Sequence, residues 1–459
     1  MKKIYRISIA LFIGMSLWAC NSDDNTAAPS PYEQYGSAFT AMPKKQDAII
    51  YQVNIRSYSP QGNLNGVRDG LTKIKELGAN VVYLMPIYPV GELDAVGELG
   101  SPYAVKDYKA VNPSFGTLED LRALVSEAHE MGMAVILDWV ANHTAMDNNW
   151  ITEHPEYYVR NENGVIQHPA GTNWLDVAQL DYNNLEMRKA MIDAMSYWVY
   201  NANIDGFRCD AADFVQQSFW SEAIPQLRSI KNQDILMLAE GTRVNHFYAG
   251  FDYTFGFGFF SALEKVYSEN KPATSLQDAN ALEYGNNYNE ENRIVRYTTN
   301  HDVNWSDGTP YELFHGRDGS MAAFAVASTM KSVPMIYNGQ EVGYNQRIDF
   351  MSAVPIDWNS GDASVLAEYK KIIAFRNSSD AVKRGNYTGY SSASVTAFTM
   401  KKDGNEVLVL ANMTNAQSNY IFPANLSNVG WNDAFTGQAV ALASQIILAP
   451  NEYRIFYSL

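Results

Sequence analysis

The sequence predicts an α/β fold: a (β/α)8 TIM barrel with a short subdomain inserted after the third strand, followed by a C-terminal antiparallel β domain. Three observations carry this. From Asp47 onward, short apolar runs rich in β-branched residues alternate with amphipathic stretches of helical length, as parallel strands joined by crossover helices require. Eight such runs, at residues 49–53, 81–84, 134–137, 204–208, 235–239, 250–253, 294–298 and 333–337, come at intervals that suit a closed barrel rather than an open doubly wound sheet. After Arg376 the text changes to alternation, as in Glu406-Val407-Leu408-Val409-Leu410, with Asn, Gly and Pro punctuation and no convincing helix.

The first twenty residues read as an export signal. Lys2, Lys3 and Arg6 precede an apolar run too short to span a membrane comfortably. It ends Leu17-Trp18-Ala19-Cys20, which resembles the lipobox of bacterial lipoproteins and implies lipidation of Cys20. Residues 1–19 are then the signal peptide and residues 20–44 a lipidated tether, flexible over 21–37, where Ser, Asp, Asn, Ala and Pro dominate. Asp23-Asp24 is similar to the surface-export signals of Bacteroidota lipoproteins. The expectation is an exported bacterial lipoprotein of the outer membrane, held by its lipid anchor and exposed at the cell surface. Acylation of Cys20 leaves Cys209 without a disulfide partner. Residues 45–380 form the barrel, 142–184 a segment too long for an ordinary strand-to-helix loop, and 381–459 the β domain.

A net charge of −16, falling to −19 once the three basic residues of the signal are removed, excludes nucleic acid as a partner. A neutral polymer such as a polysaccharide meets no such repulsion.

Chemistry in such barrels sits at the carboxyl ends of the strands. The third strand ends in Asp138-Trp139-Val140-Ala141-Asn142-His143, the fourth in Gly206-Phe207-Arg208-Cys209-Asp210, the fifth in Leu238-Ala239-Glu240, and the seventh is followed by Asn300-His301-Asp302. Each alone is as well explained by a capping Asp or a core His. Together they converge on one mouth. Two residues apart on one strand, Arg208 and Asp210 share a face, so the guanidinium is expected to lower the Asp210 pKa, with Asp138 orienting the Arg. Glu240 leaves an apolar strand, where desolvation is expected to raise its pKa toward that of a working acid. Cys209, between Arg208 and Asp210, points the other way, into packing.

These segments resemble the four conserved regions of glycoside hydrolase family thirteen, the α-amylase family. Tyr51-Gln52-Val53, Ser101-Pro102-Tyr103, Asp107-Tyr108, Phe115-Gly116-Thr117 and Met335-Ile336-Tyr337-Asn338-Gly339-Gln340-Glu341 match it as well, so the resemblance spans about residues 47–376. It implies a retaining hydrolase of α-glucans, with Asp210 as nucleophile, Glu240 as general acid/base and Asp302 as the third carboxylate. Retention further implies carboxyls about 5 to 5.5 Å apart, against ~6.5–9.5 Å for inversion. His143, His301, Arg208 and Asp138 would serve the same sugar, Tyr103 would stack on it, and the β domain would be the family's β-sandwich. The chemistry needs no cofactor.

One departure concerns a structural calcium. Where the family's α-amylases follow the nucleophile with Lys-His, this sequence reads Ala212-Asp213, leaving Asn142 as one candidate ligand of a cage that needs six or more. Trp150, Trp174, Trp305 and Tyr344 are candidate sugar platforms around the mouth, and Tyr387, Tyr390 and Trp431 are candidates for exposure on the β domain. The resemblance favours α-1,4 bonds while leaving open branch-point hydrolysis and transfer to another sugar. A tethered glucan-binding protein without turnover is the reading from another class, and it should show eroded carboxylates.

Overall fold

The computed structural model describes residues 31–230, 235–285, 291–427 and 429–458, so the signal peptide and Cys20 lie outside the described residues. Eight parallel strands close a barrel: Ile50–Val53, Val81–Leu84, Ala134–Val140, Gly206–Asp210, Leu236–Ala239, Tyr253–Phe255, Arg293–Arg296 and Ser332–Tyr337. Each pairs with its neighbours in sequence and the eighth with the first. The sixth departs most from expectation. Gly250 adopts φ 111° as the left-handed end of the short helix Asn245–Ala249, so the chain turns extended only at Tyr253.

Side chains fill the barrel by strand parity. Tyr83, Ile136, Leu238 and Tyr253 are fully buried in one cluster, and Asp138, Arg208, Asp210 and Glu240 share the parity of Ile136 and Leu238. Register aligns them, with Asp138 beside Arg208 and Arg208 beside Leu238. Gly206, at φ 151°, permits the close approach of the fourth and fifth strands, since a Cβ there would stand 1.9 Å from the Leu236 carbonyl oxygen.

The inserted segment is a small ribbon, His143–Ala145 paired antiparallel with Val177–Gln179, plus the short helices Asn149–Glu153 and Pro155–Tyr157. It ends where Asn184 caps the helix Leu185–Ala202 by accepting from Glu186 and Met187 N–H. The C-terminal part is a six-stranded antiparallel sheet with a two-stranded ribbon, Ser418–Ile421 and Gln445–Leu448. One sheet face packs Leu408 and Leu410 against the ribbon's Tyr420 and Leu448. The other buries Phe398, Val407 and Val409 with Ala322 and Val326 of the barrel helix Gly316–Thr329.

Three expectations need correction. The stretch read as tether is docked from Tyr32 onward: Tyr35 N–H donates to the Tyr200 carbonyl, Tyr32 Oη donates to Asp193 at 3.0 Å, and Phe39 stacks on His129. Aromatic side chains among the polar residues supply that affinity. The β domain contains two short helices, Asp380–Arg384 and Ala424–Ser427. Trp431 is buried in the domain core and Tyr387 lies against Phe398, so neither is an exposed platform, while Tyr390 is half-buried.

Candidate active site

At the carboxyl ends of the strands lies a cavity of ≈500 Å³ whose lining includes Tyr103, His143, Asp210, Glu240, His301 and Asp302. Its floor is one guanidinium. Arg208 Nη1 donates to Asp138 Oδ1 at 2.8 Å and to Asp210 Oδ1 at 3.0 Å, while Nη2 pairs with Glu240 Oε1. Against the pull of burial, Asp138 and Glu240 hold the Arg208 pKa well above its ordinary value. Glu240 Oε2 accepts from the Ala211 N–H at 2.8 Å, and Ala211 holds a left-handed φ of 44° that a residue with a Cβ adopts only under constraint.

Asp138 is wholly buried and accepts at Oδ2 from Tyr83 Oη at 2.5 Å and Tyr103 Oη at 3.0 Å. His301 Nε2 meets Tyr103 Oη at 2.7 Å and its Nδ1 meets Gln52 Nε2 at 2.8 Å. An amide hydrogen on Nδ1 puts the ring hydrogen on Nε2, which completes a relay from Gln52 through His301 and Tyr103 to Asp138. Asn300 caps the helix His301–Ser306 by accepting from Val303 N–H at 2.8 Å, which sets Asp302 in its first turn with the carboxyl open to the cavity.

Burial controls the protonation states. It pushes Asp302 up, and it lowers His143 and His301 to about 4, so both rings are neutral hydrogen-bonding groups near neutral pH. Asp210 corrects an expectation. Burial, then the neighbouring Glu240, raises its pKa well above the ordinary value, and Arg208 pulls down without winning. Cys209 is buried with Trp139 and Phe207, its thiol pushed up by burial, in keeping with a packing role.

Asn142 does not fit a calcium ion. Its side-chain and main-chain oxygens both accept from the Gln179 amide, at 3.0 and 3.1 Å, so a neutral donor occupies the two oxygens a cation would need. Among the described residues no group of three or more His, Cys, Asp and Glu side chains is arranged to hold a metal. Asp213, at the second position of the replaced pair, accepts from His246 Nε2 at 2.7 Å and Thr242 N–H at 3.1 Å, tying the nucleophile's loop to the loop after Glu240.

Of the four candidate platforms, Trp174 and Trp305 line the cavity. Trp150 instead packs on Tyr108 and Tyr157, and Tyr344 joins a cluster with Tyr337 and Ile356. Sequence reasoning missed Tyr83, Asp176 and Phe350, and gave Gln52 no role. Tyr83 and Gln52 had a signal in inward strand parity, whereas Asp176 and Phe350 sit in irregular segments with no periodicity to read.

Residues 21–433 match the sequence profile of the family described as alpha amylase, catalytic domain. The chain belongs to the α-amylase family. With membership comes the enzyme class, a glycosidase acting on α-glucans. Alpha-amylase 3 of Dictyoglomus thermophilum is 25% identical over 452 residues, covering 83% of this chain and 87% of that one. The crystal structure of an α-amylase from Lactobacillus plantarum superposes with a TM-score of 0.82 at 26% identity, covering 91% of this chain and 100% of the other. A noncanonic maltogenic α-amylase from Thermotoga neapolitana gives 0.81 at 25%, with the same coverage.

Proposed function

We propose that this chain is a retaining hydrolase of α-glucosidic bonds, α-1,4 bonds in starch or maltodextrin foremost. The observation that carries the reading is the single buried guanidinium joining Asp138, Asp210 and Glu240 at the barrel mouth. Asp210 attacks the anomeric carbon as the C1–O bond breaks, and Glu240 passes its proton to the leaving oxygen. Glu240 then takes a proton from the water that releases the sugar from Asp210. Both carboxylates contact one guanidinium, which supports the short separation of a retaining pair. Tyr103, His143, His301 and Asp302 hold the reacting sugar. The carboxyl groups crowded around it stabilise the positive charge that develops in the oxocarbenium-like transition state.

Proton NMR of a maltooligosaccharide digest tests this, with the α-anomer expected first. Asp210→Asn and Glu240→Gln should each lose activity by about 10²-fold or more, the general acid/base range being about 10²–10⁴. Near-normal turnover in either variant overturns the mechanism.

A second reading, branch-point cleavage or transfer to a sugar acceptor, draws on the aromatic edge formed by Trp174 and the exposed Phe214 beside the cavity, which suits a sugar as well as water. Product profiles on starch, pullulan and maltooligosaccharides separate the two. From the signal anatomy alone we further propose that Cys20 is lipidated and anchors the enzyme to the outer membrane. Labelling by a fatty-acid probe, lost in Cys20→Ser, is the expected result.

A further inference from the structure

The cavity has two unlike walls. Tyr103, His301, Asp302, Trp305 and Phe350 form one, while the inserted segment brings Trp174 and Asp176 to the other. The second wall adjoins the loop that follows the nucleophile and holds Glu240, the acid of the leaving-group side. Trp174 lies 6.1 Å edge-on from Phe214, which follows Ala211 by three residues, and Ala211 N–H is the group that holds Glu240. The acid that protonates the leaving oxygen is therefore gripped from the Trp174 side.

Asp176 is the unexplained group there. It is only 7% exposed, and among the described residues no other residue donates a hydrogen bond to its carboxylate. Buried polar groups almost always have partners, and leaving one unmet costs stability. A carboxylate can accept from two vicinal hydroxyls at once. Within the fold, among the described residues, its carboxylate meets its own backbone N–H and the neighbouring His168, and its remaining acceptor capacity faces the cavity. Trp174 adds a flat apolar surface, partly buried and 5.4 Å from His143.

We propose that Asp176 binds the hydroxyls of the sugar on the leaving-group side, with Trp174 as its stacking platform, in place of the missing Lys-His pair. This rests on the glycosidase reading above. The two are separated by comparing maltotriose with 4-nitrophenyl α-maltoside, whose aryl leaving group offers no hydroxyl. In Asp176→Ala, kcat/KM for maltotriose should fall roughly tenfold or more, the scale of a lost hydrogen bond to a charged acceptor. The aryl substrate should change by less than about twofold. Asp176→Asn should leave the melting temperature unchanged or higher, which a purely structural carboxylate would not do. Equal losses on both substrates, no loss on either, or a clear fall in melting temperature overturns the proposal. Should the wild type turn over neither substrate, the glycosidase reading fails, and tryptophan-fluorescence titration with maltotriose still decides. Affinity at least about tenfold weaker in Asp176→Ala sustains the proposal, and unchanged affinity overturns it.

Discussion

Two of the fully buried arginines of this barrel, Arg296 and Arg208, sit in opposite environments. Arg296, on the seventh strand, faces the helical layer: it donates to Glu283 at 2.6 Å, to Asn280 at 2.9 Å and to the Met330 carbonyl at 2.6 Å, with its guanidinium 3.9 Å from the Phe259 ring centre. One carboxylate balances one cation. Arg208 faces the interior and meets three carboxylates, with the Asp302 carboxyl in the same cavity. Its surroundings hold more carboxyl groups than one cation can balance, and among the described residues the Arg208 Nε finds no partner. A buried group that is merely structural is brought to neutrality and satisfied. An unbalanced one is explained by what it meets during the reaction, here a sugar ring developing positive charge.

Removing each cation separates the two environments most directly. Arg208→Met should abolish measurable turnover and, by stranding buried carboxylates, destabilise by about 3–5 kcal/mol. Arg296→Met should destabilise by a similar ~3–5 kcal/mol for the sake of Glu283, yet the folded fraction should keep near-normal kcat. Chemical denaturation paired with activity per folded molecule checks both. If Arg296→Met loses kcat as completely as Arg208→Met, the distinction fails.

A smaller effect sharpens the same point. The folded-state pKa of Asp210 is raised, chiefly by burial, so the native state holds its proton more tightly than the unfolded chain does. Its contribution to stability is therefore full below the unfolded carboxyl pKa of about 3.9 and is lost as pH rises toward the folded value. Asp210→Asn should accordingly be more stable than wild type at pH 7 by about 0.5–2 kcal/mol, with the gap closing toward pH 4. Thermal melts across that range measure it, and a gap that widens on acidification would contradict the burial argument.

The smallest expected effect concerns calcium. Because the Gln179 amide already engages both Asn142 oxygens, adding a chelator should shift the melting temperature by less than about 1 °C, with activity retained. A large drop would show that a cation displaces that amide.

Much of the site was legible because strand parity is a strict code. Arg208 and Asp210 two apart on one strand must share a face, and the four polar strand ends must meet at one rim once the barrel closes. Tyr83 and Gln52 obey the same code and were readable in principle, but nothing marks a buried tyrosine or glutamine as a partner until its neighbour across the barrel is known. Trp150 and Trp174 read alike in sequence. The first packs on Tyr108 and the second lines the cavity, since loop residues carry no period to say which way they point.

By itself, then, the sequence determined the barrel, its order of strands, the inward-facing carboxylates and the arginine among them, because these follow from periodicity and covalent geometry. Only the tertiary structure decided the raised pKa of Asp210, the occupation of Asn142 by Gln179, the docking of residues 32–39 and the placement of the Asp176 carboxyl at the cavity. Each of those depends on how many groups from distant segments crowd one point, and burial and Coulomb interaction answer to distance in space rather than along the chain.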